Sequence, residues 1–183
     1  MGGGFVSVDL HESLSELPLF SGLSSSEIDR LQETGRVEYY AEGTNVLAEG
    51  EAGVRMVVIL DGTVSVLGVD SAGDEVTLSI LHPGDVFGEM CLLLDTPRSA
   101  TVRARDDIRV FAMDRPTFEV MVNGGDPAAL KFGMALARVL AKRVSQLNKR
   151  LLMLVGEMSD EDEIHPDLGR VRKDILGWWG SDE

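Results

Sequence analysis

The chain has little of what disulfide-stabilised proteins and metalloenzymes depend on. It contains one cysteine and three histidines in 183 residues. A single cysteine excludes an internal disulfide, and Cys91 lies in an apolar stretch, where a thiol is expected to act as a small buried hydrophobic group. His11, His82 and His165 fall in separate segments without the spacing of metal ligands. The sequence therefore predicts neither a metal site nor an enzyme.

Basic residues are also scarce. Seventeen lysines and arginines stand against thirty-one acidic residues, which gives a net charge of −14. Because this charge repels nucleic acid phosphates, we expect no direct binding of nucleic acid. No apolar run in the sequence is long enough to cross a bilayer, and the first seven residues lack the basic and apolar regions of a secretory signal. We therefore expect no membrane span and a cytoplasmic location.

Aromatic residues make up 5% of the chain, whereas 44% of its residues are hydrophobic. A chain of this length and composition suffices for one core with extensions. The pattern predicts a flexible N-terminus (1–8), a helical lead-in (9–36), a β domain (37–114), C-terminal helices (115–156) and an acidic tail containing two tryptophans (157–183).

In the lead-in, Leu10, Leu14 and Leu17 recur at helical spacing. Ser24 to Ser26 followed by Glu27 resembles an N-cap ahead of a second helix that carries Ile28 and Leu31. The lead-in is therefore expected to be two helices that cover the β domain.

The hydrophobic period changes to that of strands between residues 37 and 114. The runs are short, rich in Val and Ile, and separated by glycines, which predicts a mainly β fold with flanking helices, specifically an eight-stranded jelly-roll barrel. Asp61-Gly62 is predicted to form a two-residue hairpin turn and residues 71–74 a longer one. The glycines between the runs are expected to supply corners with positive φ. They are Gly43, Gly50, Gly53, Gly62, Gly73 and Gly84.

The chain after the β domain is predicted to be helical. After Arg115-Pro116, whose proline suits a first helical turn, a short helix is predicted over Thr117–Val122, and Asn123-Gly124-Gly125 ends it. Asp126-Pro127 begins the longest helix, which extends to about Met158. Apolar or small residues alternate spacings of three and four along it, which is typical of a coiled coil. They are Leu130, Gly133, Ala137, Leu140, Val144, Leu147, Leu151, Leu154 and Met158. We expect a homodimer through this helix; the alternative is a single helix packed along its own domain.

Trp178-Trp179 is unexpected in an acidic tail, because two exposed indole rings are unfavourable without a partner. Three interpretations remain open. The tryptophans dock on this chain or a partner, they form a lid over a bound base, or they belong to an unstructured remnant.

The candidate site lies between Gly84 and Ala104. A short helix is predicted over Glu89–Leu94, and its start presents unpaired N–H groups and positive dipole charge to which Gly88 leaves open access. Arg98 adds a permanently charged planar fork. Together with the carboxylate of Glu89, which can accept from a sugar hydroxyl, these groups suit a ligand with one phosphate and a free ribose hydroxyl.

Phe87-Gly88-Glu89 and the later run from Thr96 to Val102, Thr-Pro-Arg-Ser-Ala-Thr-Val, resemble the phosphate-binding cassette of cyclic nucleotide-binding domains. The resemblance extends from about Leu17 to about Leu154. It implies that Glu89 binds the ribose 2′-hydroxyl and Arg98 the cyclic phosphate. The full ligand-binding set that it implies is Gly88, Glu89, Met90, Cys91, Arg98, Ser99 and Ala100, with Asn148 of the long helix near the base.

The resemblance also indicates the ligand. It associates Ser or Ala at the position of Ser99 with adenine and Thr with guanine, so cyclic AMP is expected in preference to cyclic GMP. The expected function is a regulatory sensor that transmits occupancy through its C-terminal helix to an effector protein or domain, whose identity the sequence leaves open. In the alternative, Arg98 and Glu89 pair with each other in a vestigial pocket, and the chain is a dimeric structural module.

Overall fold

The structure is a computed structural model that describes residues 9–94 and 96–159. The predicted flexible N-terminus and the Trp178-Trp179 part of the predicted tail lie outside the described residues. The helices are α1 (Leu10–Ser15), α2 (Ser25–Gln32), α3 (Met90–Leu93), α4 (Arg115–Asn123) and α5 (Pro127–Ser159), with a 3₁₀ turn at Pro18–Phe20. The strands are β1 (Gly35–Tyr40), β2 (Asn45–Leu47), β3 (Arg55–Asp61), β4 (Val64–Val69), β5 (Glu75–Leu81), β6 (Val86–Phe87), β7 (Thr101–Ala104) and β8 (Ile108–Asp114).

The two predicted lead-in helices are present as α1 and α2. The capping box at the start of α2 is formed in both directions: Ser24 Oγ accepts from the Glu27 backbone N–H, and Glu27 Oε2 accepts from the Ser24 N–H at 2.8 Å. Ile28 and Leu31, on the apolar face of α2, are buried. The sequence pattern therefore placed both the start and the buried face of this helix correctly.

The β domain consists of two four-stranded antiparallel sheets in the described residues, ordered β1-β8-β3-β6 and β2-β7-β4-β5. One buried cluster joins both sheets, because Val57, Ile59 and Phe87 of the first pack with Val64 and Val102 of the second. The mainly β fold with flanking helices is thus confirmed. The closed jelly-roll barrel stays a prediction.

The prediction of a hairpin at Asp61-Gly62 is wrong. The strands on either side, β3 and β4, belong to different sheets, so this turn carries the chain from one sheet to the other. Asp106 fixes the crossing by accepting from the Thr63 backbone N–H at 2.7 Å and from the Thr63 hydroxyl at 2.8 Å. The longer turn at residues 71–74 does connect a paired hairpin, β4 and β5.

The C-terminal helices begin and end close to the predicted residues. Pro116 lies in the first turn of α4, and Gly124 caps its end. The first turns of α5 bury Phe132, whose ring lies 5.3 Å from that of Phe20 and 5.8 Å from that of Phe118. Lys131 of α5 forms an ion pair with Glu27 at 2.8 Å.

The chain divides into two compact units, Met1–Leu136 and Ala137–Glu183, with the boundary inside α5. In the described part of the second unit, four large apolar side chains of α5 are exposed: Val144, Leu147, Leu152 and Met153. The predicted homodimer would cover residues of this kind, and it remains a prediction. Within the described residues, no helix has the length and apolar character needed to cross a membrane.

Candidate functional site

The candidate site begins where β6 ends. Phe87, the last residue of β6, is buried and lies opposite Val57 of β3. Gly88 and Glu89 follow, and α3 forms a single helical turn within the predicted span Glu89–Leu94. The sequence therefore predicted this strand-to-helix junction correctly.

Gly88 is required at the junction for two reasons. Its φ of +68° lies in the left-handed region, which side chains disfavour. In addition, a Cβ at this position would lie 2.5 Å from Arg98 Nη1 and 2.9 Å from Leu47 Cδ1. The missing side chain thus leaves the space that the guanidinium of Arg98 occupies.

Arg98 is buried, with 8% of its surface exposed. Its Nη1 donates to the Gly88 carbonyl at 3.1 Å, and its Nη2 donates to the Arg55 carbonyl at 2.7 Å. Its backbone is also held, because the Arg98 N–H donates to the Glu51 carbonyl at 2.8 Å, and the Gly50 N–H donates to the Arg98 carbonyl at 2.9 Å. Both the position and the plane of the guanidinium are therefore fixed by backbone groups.

Glu89 occupies the N-cap position of α3 and is 7% exposed. Its carboxylate makes no capping hydrogen bond to the backbone of α3. Glu89 follows Gly88 in the chain, and Arg98 donates to the Gly88 carbonyl. The turn at Gly88 therefore holds a carboxylate and a guanidinium, each more than nine-tenths buried. Charged side chains are seldom buried this deeply unless they are paired, and two of opposite sign at one turn make it the strongest candidate for a binding site in the described chain.

Cys91 in α3 is buried, as predicted, and its thiol donates to the same Arg55 carbonyl at 3.1 Å. Burial raises the pKa of the Cys91 thiol, and the charge of Arg98 opposes that shift only in part. Gly53 faces α3 from the loop before β3: a Cβ there would lie 2.5 Å from Cys91 Cβ.

This contact corrects the prediction for Gly53. The other five glycines predicted to form corners have positive φ, but Gly53 does not. Gly53 is instead the residue that allows close approach between the loop and α3.

The remaining residues of the predicted set are distributed as follows. Met90 and Ser99 are exposed, and Ala100 is half-buried. Asn148 lies on α5 within the second compact unit, and its part in the site stays a prediction.

Sequence reasoning missed the Arg55 carbonyl, which accepts hydrogen bonds from both Arg98 and Cys91. Every residue has a carbonyl, so no sequence pattern could have identified this acceptor. Its role becomes visible only when β3 and the loop before β7 are placed side by side.

Comparison with known proteins identifies a family whose model matches the same part of the chain. The family model described as the cyclic nucleotide-binding domain matches residues 37–124, which include β6, α3 and Arg98. The chain is 33% identical over 105 residues to a cAMP-dependent protein kinase regulatory subunit of Blastocladiella emersonii. The aligned stretch covers 57% of this chain and 26% of that protein. It is 30% identical over 140 residues to a cyclic AMP receptor protein of Thermus thermophilus. That alignment covers 76% of this chain and 63% of the receptor.

Solved structures show the same likeness. The catabolite activator protein of Thermus thermophilus matches with a TM-score of 0.67 and 29% identity, covering 75% of this chain and 62% of that one. A cyclic nucleotide-binding domain from Methylobacillus flagellatus matches with a TM-score of 0.69 over 78% of this chain and 80% of that one; at 22% identity it supports the fold alone. The chain thus spans less than two thirds of the kinase subunit and of the Thermus receptor.

Proposed function

The chain belongs to the cyclic nucleotide-binding domain family, and we propose that it is a regulatory module that binds a cyclic nucleotide, cyclic AMP in preference to cyclic GMP. The observation that carries the proposal is the buried guanidinium of Arg98. The hydrogen bonds that anchor it go to the neutral carbonyls of Gly88 and Arg55. Neutral acceptors orient a guanidinium without cancelling its charge, so the charge remains available to an anionic ligand.

In this proposal the cyclic phosphate binds Arg98 and the ribose 2′-hydroxyl binds Glu89. Anchoring uses one N–H of Nη1 and one of Nη2, and the other N–H groups of Arg98 can meet phosphate oxygens. Glu89 lies at the N-cap position of α3, next to Gly88 in the chain, and its buried carboxylate is the acceptor proposed for the ribose hydroxyl. The other members of the proposed ligand-binding set in the cassette are Met90, Cys91, Ser99 and Ala100.

The preference for cyclic AMP rests on Ser99 and on the relatives. Ser99 is exposed, so its hydroxyl is accessible to a ligand at the cassette. The kinase subunit and the Thermus receptor are both named for cyclic AMP. Asn148 is proposed to meet the base.

The signal is proposed to pass through α5 in a homodimer. The exposed apolar residues of α5, Val144 and Leu147 among them, support a surface that a second copy would cover. A ligand would shift the helix only through its different affinity for two helix positions. We propose a cytoplasmic location and a separate effector protein or domain as the receiver. The competing proposal is a dimeric structural module with a vestigial pocket, and the same exposed face of α5 supports it.

Isothermal titration calorimetry with cyclic AMP and cyclic GMP distinguishes these proposals. Wild type should bind cyclic AMP more tightly than cyclic GMP, and Arg98→Ala should lose about 1.5–3 kcal/mol or more of binding free energy. Arg105→Ala removes an exposed arginine just beyond the end of β7 and should leave binding unchanged. Absence of binding by folded wild-type protein would favour the structural module, whereas equal affinity in Arg98→Ala would remove the phosphate role.

A further inference from the structure

Arg55, the first residue of β3, holds two other strands with its side chain. Its Nη1 donates to both carboxylate oxygens of Glu38 in β1, at 2.8 and 2.7 Å. Its Nη2 donates to the Tyr40 hydroxyl at 3.0 Å and to the Val46 carbonyl of β2 at 3.4 Å. The charge of Arg55 is thereby matched by Glu38, so its guanidinium is committed to the protein and not to a ligand.

The backbone carbonyl of Arg55 holds the candidate site. It accepts from Arg98 Nη2 at 2.7 Å and from the Cys91 thiol at 3.1 Å. A Cβ on Gly88 would lie 3.2 Å from this same oxygen. Arg98, Cys91 and Gly88, three residues of the proposed binding set, therefore all lie close to the Arg55 carbonyl. The side chain of Arg55 is itself anchored by four hydrogen bonds.

We propose that Arg55 is a positioning residue for Arg98, and that it sets affinity for the ligand without touching it. This inference rests on the proposed function. A guanidinium is a rigid planar fork, so two fixed acceptors determine where its remaining N–H groups point. One of the two acceptors is the Arg55 carbonyl, and the contacts to Glu38, Tyr40 and Val46 fix the start of β3 from which that carbonyl projects.

Residues that orient a ligand-binding side chain without touching the ligand commonly control the affinity of the site. A small displacement of the binding side chain weakens every bond that it makes to the ligand. Release of the Arg55 side chain allows the start of β3 and its carbonyl to move, and Arg98 follows the carbonyl. The cost should appear in the binding of the phosphate and not only in the stability of the fold.

The test compares Arg55→Met with Arg36→Met. Both variants remove one positive charge that pairs with Glu38, since Arg36 Nη2 lies 2.8 Å from Glu38 Oε1. Each variant leaves Glu38 the other arginine as a partner, so both are expected to fold. The difference is that only Arg55 carries the carbonyl to which Arg98 is bonded.

Calorimetry with cyclic AMP on the full chain should show binding weakened by roughly 3- to 30-fold in Arg55→Met and unchanged in Arg36→Met. Thermal unfolding without ligand measures any loss of stability separately. A double-mutant cycle with Arg98→Lys, which keeps the charge but lacks the fork, should show that most of the Arg55→Met effect disappears when Arg98 is already replaced.

Three results overturn the inference while leaving the proposed function intact: affinity of Arg55→Met within about twofold of wild type, equal weakening by both methionine variants, or an undiminished Arg55→Met effect in the Arg98→Lys background. Failure of wild type to bind cyclic AMP is a different result, because it overturns the proposed function and this inference together.

Discussion

The carbonyl of Gly88 accepts a hydrogen bond from Arg98 at 3.1 Å, and the same guanidinium fills the space where a side chain on residue 88 would begin. The two residues therefore depend on each other. Arg98 can lie in the buried turn because residue 88 has no Cβ, and the carbonyl of Gly88 helps to hold Arg98 there. The glycine has both a conformational and a steric function, and these can be separated experimentally.

Replacement of Gly88 by alanine should abolish binding of cyclic AMP and lower the free energy of unfolding. A positive φ costs alanine about 1–3 kcal/mol, and the new methyl group would also displace Arg98 Nη1. Gly73→Ala is the matched control, since Gly73 has a φ of +89° but no heavy atom near the added Cβ. It should lose stability and keep full affinity in calorimetry. A Gly88→Ala protein that binds as wild type does would show that Arg98 need not occupy its present position.

Gly53→Ala should destabilise the fold by about 1–3 kcal/mol, as overpacking usually does. The added Cβ would lie 2.5 Å from Cys91 Cβ and 3.2 Å from the Thr96 carbonyl oxygen, and backbone atoms cannot easily yield. Gly22→Ala, which adds a Cβ with no heavy atom within 4 Å, should have little effect. Urea unfolding of both variants measures the difference. Equal stability of the two would mean that α3 can move away from the loop at little cost.

Local features of this fold were predictable from the sequence because their causes are local. The capping box at Ser24 and Glu27 joins residues three apart, and the Gly88-Glu89 junction combines a flexible residue with a helix start. Patterns of this kind involve only neighbouring residues, so the sequence alone is enough to predict their geometry. The resemblance to the phosphate-binding cassette likewise implied that Arg98 would lie near Gly88.

Relations between distant strands were not predictable in the same way. Asp-Gly between two apolar runs favours a hairpin, but the contacts of Thr63 with Asp106, forty-three residues later, carry the chain to the second sheet. Gly53 was predicted to form a further corner because residue spacing does not show that it packs against Cys91 of α3. The Arg55 carbonyl is an acceptor of the same kind, since its role depends on which strand meets the cassette.

The stability of the protein should fall as pH rises through the ordinary range of thiol ionisation, in part because of Cys91. Burial raises the pKa of this thiol, so the unfolded chain releases the proton at lower pH than the folded one. The folded state then holds more protons, and the free energy of unfolding decreases with rising pH. Urea unfolding at about pH 8 and about pH 10 brackets the ordinary thiol pKa.

Cys91→Ala isolates this contribution, because its cavity costs the same at both pH values. Wild type should lose more stability than Cys91→Ala between the two conditions. Tyr40, whose pKa burial also raises, contributes in the same direction at higher pH in both proteins and therefore cancels from the comparison. Equal losses in the two proteins would show that the thiol ionises as readily in the fold as outside it.

Leu147→Glu should convert the proposed homodimer to monomer. Leu147 lies on α5 in the second unit and is 66% exposed, and its place in the three-and-four spacing puts it on the proposed seam. A charge there would have to be buried against the second copy, which is costly without a partner. Gln146→Glu adds the same charge one residue away, at an exposed position outside that spacing, and should leave assembly unchanged. Sedimentation velocity of the three proteins across a concentration series measures the outcome. A wild-type protein that sediments as a monomer throughout would contradict the homodimer. The alternative, a single helix packed along its own domain, would then be the element that transmits ligand binding.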